Sequence, residues 1–183
     1  YFQHAPMPDL GFSPDATFPI INGEKGNVSA LFDIKLGENI EADNHLVKLT
    51  AGLRANMVPQ DATAIVQTND ADEVLKAFNQ FVNKYDALSG ESSIEEGQIT
   101  LQLVGKAAHG STPEKGVNAG THLAKFLENY QFDSKGAQDT INLLARELFE
   151  GFDGSKIGVN YTHEVMGDVS MNVGIINFDE SKG

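Results

Sequence analysis

The sequence has no cysteine. Disulfides, thiolate zinc sites and cysteine nucleophiles are therefore excluded, and a reducing, cytoplasmic setting is expected. Basic residues are scarce. Thirteen Lys and Arg face 26 Asp and Glu, for a formal charge of −13 over 183 residues. A surface that negative repels phosphate backbones and anionic lipids, so neither nucleic acid nor membrane is an expected partner. No apolar run reaches the length of a membrane span. The stretch from Tyr1 to Leu10 lacks the basic and then apolar regions of a secretion signal. Nucleotide motifs are missing too. Gly154-Ser155-Lys156 has the wrong order for a phosphate loop, and no dinucleotide fingerprint occurs.

What is present is ordinary for a globular chain. Hydrophobic residues make up 40% and charged residues 21%, and 183 residues can bury a core. Pro6, Pro8, Gly11 and Pro14 keep the first 17 residues irregular. Strands are predicted over 28–36, 47–57, 62–68 and 98–107 from the alternation of apolar residues. Residues 89–97 read as an acidic loop. Helices are predicted over about 70–87, with Asp70 and Glu73 as a capping box, and from Pro113, with Thr112 as cap. A third is expected over about 137–150. Strands near 156–163 and 168–178 complete the chain. This order predicts an α+β fold: a ferredoxin-like split βαβ unit in a mixed or antiparallel sheet, with helices on one face.

Three residues could carry chemistry. His109 sits where a strand gives way to the small-residue loop 105–116. A histidine there can donate a hydrogen bond or bind metal, or it can be an ordinary turn residue. Asp15 follows Pro14. It could be a hard metal ligand, or a turn aspartate bonded to its own backbone. Asn56 ends a strand before Pro59. Its amide could donate to an oxyanion or simply cap the strand. His45, His122 and His163 have no acidic or histidine partner at metal-ligand spacing.

Three segments resemble one family. Gly11-Phe12-Ser13-Pro14-Asp15-Ala16, with Phe18-Pro19 and Gly23-Glu24-Lys25-Gly26, is the first. Leu53-Arg54-Ala55-Asn56-Met57-Val58-Pro59 is the second. Gly105-Lys106-Ala107-Ala108-His109-Gly110-Ser111-Thr112-Pro113-Glu114-Lys115-Gly116-Val117-Asn118-Ala119 is the third and most specific. Together they resemble the dinuclear zinc metallopeptidases related to aminoacylase and carboxypeptidase G, in the bacterial Xaa-His dipeptidase (carnosinase-like) branch. The resemblance implies a catalytic domain with two zinc ions, other divalent metals being able to substitute, and an inserted lid. It implies Asp15 as a zinc ligand, His109 as the lid histidine that stabilises the oxyanion, and Asn56 as a substrate contact.

The family's His-x-Asp motif, bridging aspartate, Glu-Glu pair, downstream histidine ligand and lid arginine have no counterpart here. The expectation is therefore a lid fragment, inactive by itself. Residues 1–23 would be the tail of the catalytic domain, and 24–183 the lid domain, truncated at its C-terminal end. Its partners would be a dipeptide substrate and the remainder of its own catalytic domain. The alternative is a non-catalytic dimerisation or binding module, in which the isolated lid self-associates through an exposed sheet edge.

Overall fold

The structure is a computed structural model that describes residues 9–11, 19–21, 23–35, 37–95 and 97–180. Seven strands are described: β1 (Asn44–Ala51), β2 (Asp61–Thr68), β3 (Ser89–Glu95), β4 (Gln98–Val104), β5 (Thr162–His163), β6 (Gly167–Asp168) and β7 (Ile176–Asp179). Three α-helices accompany them: α1 (Ala71–Val82), α2 (Ala119–Leu127) and α3 (Lys135–Asn142).

Five strands form one sheet in the order β3-β4-β2-β1-β7, every neighbouring pair antiparallel. β2 and β3 each run antiparallel to the β4 between them, so they run parallel to each other, with α1 as their connection. That is the split βαβ unit, and the α+β class predicted from the sequence holds. One face of the sheet is apolar. Leu49, Ala64, Ile99, Leu101 and Leu103 there are wholly buried. The helices lie on this face. Phe78 of α1 and Phe126 of α2 meet edge to face at 5.3 Å, an arrangement that adds to their area burial.

The period-2 pattern located β2 and β4 because each has one buried face. Elsewhere the structure corrects the sequence reading. Most of the expected loop over 89–97 is strand: Ser89–Glu95 pairs with β4 as an edge strand. Its sequence carries little apolar signal, and the ladder's backbone bonds hold it instead. β1 begins at Asn44 and ends at Ala51, and its register shifts between Leu46 and Lys48. That bulge puts Leu46, Leu49 and Ala51 inward, a phase that strict alternation does not give. The alternating stretch 28–36 forms no strand among the described residues, and Val28, Leu31 and Phe32 are exposed. Alternation needs a partner strand to become a ladder.

Helix starts differ as well. Asp70 stands at the α1 N-cap but makes no side-chain cap bond. Pro113 opens only a 3-10 turn, Pro113–Lys115. The next helix begins at Ala119, where the Asn118 side chain accepts from the Thr121 amide. α3 continues into a π-helical turn, Leu143–Glu147. The C-terminal strands are shorter than expected, with β5 and β6 a two-residue hairpin pair. No described helix is long and apolar enough to cross a membrane.

One cluster ties the sheet edge together. His45 on β1 directs Nδ1 at Asp133, 2.8 Å away, and Nε2 at Glu180 just after β7. Partial burial works against a charge on this ring, but the hydrogen bonds and negative charge of Asp133 and Glu180 outweigh it. The His45 pKa is raised above 6.5. A raised histidine pKa stabilises the fold fully below its unfolded value, and the contribution disappears as pH rises through the folded value. Urea midpoints should therefore fall as pH rises above about 6.5, and His45→Gln should flatten that slope. An identical slope in wild type and variant would show that the cluster contributes nothing.

Candidate active-site loops

Two loops meet at the end of the sheet where β1 and β4 finish. Beyond β1, Gly52 takes φ of +72°, a left-handed turn that glycine adopts without steric cost. A Cβ there would lie 2.0 Å from the Gly174 carbonyl oxygen. The chain then runs through Leu53 to Val58. Beyond β4 it runs through Gly105 to Val117.

Backbone bonds zip these loops together. The Val58 amide donates to Ala108 O at 2.9 Å, and the Gly110 amide donates to Asn56 O at 2.7 Å. Met57 and His109 thus face each other in an isolated antiparallel bridge. The Lys106 and Val117 amides and carbonyls bond each other at 2.9 and 2.8 Å, which closes the base of the second loop. The structure therefore brings Asn56 and His109 to one place, and both are exposed.

The tautomer of His109 follows from its contacts. Its Nδ1 lies 3.2 Å from the Ser111 amide and 2.8 Å from the Ser111 hydroxyl. An amide N–H can only donate, so Nδ1 accepts. In the neutral ring the proton is then on Nε2, which becomes the donor. The His109 carbonyl accepts from the Thr112 amide at 2.9 Å, which fixes the turn that carries the ring.

A third segment supports both loops. The Asn172 side-chain amide donates to Met57 O at 2.8 Å and to Ala55 O at 3.2 Å. The Asn118 amide donates to Val173 O at 2.9 Å. A small open depression lies alongside, bordered by Val58, Pro113, Asn118, Glu150, Phe152 and Asn172. Glu150 holds φ of +52°, a conformation that costs a non-glycine residue about 1–2 kcal/mol. None of Asn118, Glu150 and Asn172 was singled out by the sequence reading as functional. Asn118 lies inside the motif-like loop, but the other two carry no local signal.

His122 is a different kind of histidine. It is buried, with Tyr85 and Phe149 edge-on at 5.2 and 4.8 Å. Its Nδ1 donates to Asn118 O at 2.8 Å. Burial lowers its pKa below 6.5, so it packs as a neutral ring.

Asp15, the expected metal ligand, lies outside the described residues. Among the described residues no group of three or more His, Asp or Glu is arranged to hold a metal ion. In the His45 cluster both ring nitrogens are already engaged by carboxylates. The described part of the chain thus does not fit a metal centre of its own.

No family model matches the chain. It is 42% identical over 188 residues to a Staphylococcus saprophyticus protein named "Putative dipeptidase", covering 100% of this chain and 39% of the relative. A Staphylococcus epidermidis protein of the same name matches at the same identity and coverage. "Putative dipeptidase YtjP" of Bacillus subtilis is 35% identical over 184 residues, again covering 100% of this chain and 39% of the relative. Along its whole length, then, the chain is similar to proteins named as dipeptidases, and it spans about 39% of the length of each.

Proposed function

We propose that this chain is the lid-bearing part of a zinc-dependent dipeptidase of the Xaa-His (carnosinase-like) type. His109 and Asn56 act on the substrate, residues 1–23 are the tail of the catalytic domain, and 24–183 are the lid. The names of the relatives support the dipeptidase class. The observation that carries the residue roles is the geometry of His109: a ring whose Nδ1 accepts from Ser111 offers an Nε2–H donor, on a loop bonded through its backbone to the loop of Asn56.

Peptide hydrolysis develops negative charge on the carbonyl oxygen as water adds. A preset donor aimed at that oxygen lowers the barrier, because its orientation is fixed before the reaction begins. The Ser111 contacts fix the ring and its tautomer, and the Met57–His109 bridge ties the loop that carries it to the loop that carries Asn56. Asn56 binds the dipeptide in ground and transition state alike. Zinc would supply an activated water and a polarised carbonyl. Its ligands would come from Asp15 and from parts of the full-length protein outside this chain, so the chain alone is inactive.

Asn56→Ala in the full-length protein should raise KM about tenfold, as expected for losing a uniform binding contact, while kcat changes less than about threefold. Steady-state kinetics on a dipeptide decides this, and an unchanged KM would remove Asn56 from the site. A second reading is a dimerisation module. It is favoured by β3, which forms one edge of the sheet with Ile94 exposed. Sedimentation over a range of concentrations tests it, and a concentration-independent monomer would rule it out.

A further inference from the structure

Asn172 lies far along the chain from the two loops, yet its side chain bonds the residues on either side of Asn56. Its Nδ2 donates to the carbonyls of Ala55 and Met57 at 3.2 and 2.8 Å. Carbonyl oxygens only accept, so the orientation of this amide is fixed by its partners. A Cβ placed on Gly110 would lie 3.0 Å from Asn56 O and 3.4 Å from Asn172 Nδ2. The Asn172 amide, the Asn56 backbone and the residue after His109 therefore crowd one point. Asn172 is itself held from behind. The neighbouring Val173 carbonyl accepts from Asn118, whose Oδ1 caps α2. The support thus runs from a rigid helix start, through 172–173, to the turn that carries Asn56.

We propose that Asn172 is a positioning residue that acts through Asn56. By holding the carbonyls before and after Asn56 it fixes the backbone of that one residue, and so the direction of its side chain. The kinetic side of this inference rests on the reading that Asn56 contacts a dipeptide; the positional side does not. An aspartate is nearly isosteric here but, once ionised, has no donor. It would set negative oxygens against two carbonyl oxygens, so the turn would be released rather than held.

The test uses the full-length protein with Asn172→Asp, Asn56→Ala and the double variant. Asn172→Asp should raise KM about tenfold with kcat changing less than about threefold, the pattern expected for Asn56→Ala itself. On top of Asn56→Ala it should cost less than about threefold, because the two changes remove one function. A merely structural role would lower the active fraction, which reduces apparent kcat and leaves KM where it was. Hydrogen exchange provides a readout that needs no activity. Amides of 53–58 and of Gly110 should exchange faster in Asn172→Asp, with the α2 amides unchanged.

A wild-type KM, or an undiminished loss in the Asn56→Ala background, would overturn the proposal. If the unsubstituted protein cleaves no dipeptide, the dipeptidase reading falls and exchange alone decides: faster exchange upholds the positioning role, unchanged exchange rejects it. If Asn172→Asp does not fold, Asn172→Ala, which removes the donor without adding charge, decides in the same assays.

Discussion

Replacing His109 with alanine in the full-length protein is expected to lower kcat about 10²–10³-fold, the usual cost of removing one oxyanion donor. KM should move little, since the donor meets its full partner only as charge develops. The size of the effect depends on preorganisation. Nδ1 is held by two groups of Ser111, so Nε2–H has one protonation state and one direction in the neutral ring. Ser111→Ala should cost much less than His109→Ala, because the Ser111 backbone amide still sets the tautomer. Equal losses in the two variants would mean that the hydroxyl, not the ring, does the chemistry. An unchanged kcat in His109→Ala would end the assignment.

Gly174→Ala should disable the same site from the opposite side. A Cβ there would lie 2.3 Å from Ala55 O and 2.6 Å from Ala55 Cα. Both are backbone atoms, so no rotamer change relieves the clash. The turn that carries Asn56 must lift away from 172–174, and the Asn172 bonds must lengthen. Overpacking of this kind costs about 1–3 kcal/mol. The urea midpoint should fall by a matching amount, and kcat/KM should fall at temperatures where the protein is still folded. A variant with wild-type midpoint and activity would show that the turn does not rest on this segment.

Much of the sheet could be read from the sequence, and the exceptions have physical reasons. β2 and β4 were legible because each buries one face and exposes the other. β3 was not, because Ser89–Glu95 is mostly serine, glycine and glutamate and is held by ladder bonds. β1 was half legible, its phase broken by the bulge at Val47. The stretch 28–35 carries a strand's pattern without a paired strand among the described residues.

The site divides in the same way. Asn56 and His109 stand out because their segments resemble a family, and no periodicity marks them. Their meeting depends on a bridge between two loops distant in sequence. Asn172 was illegible for a stronger reason. Its partners are main-chain carbonyls 117 and 115 residues away, and a carbonyl has no residue type to recognise. His45 likewise finds its carboxylates 88 and 135 residues away, so no local spacing could suggest them.

The proposed function would have this chain serve a metal-dependent dipeptidase through His109. The most direct test is dipeptide hydrolysis by the full-length protein, stripped of metal and then reloaded with zinc, as wild type and as His109→Ala. The wild type should cleave only with metal, and the variant should show a kcat lower by about 10²–10³-fold at full metal occupancy. Cleavage that is indifferent to metal, or a variant as fast as wild type, would contradict it.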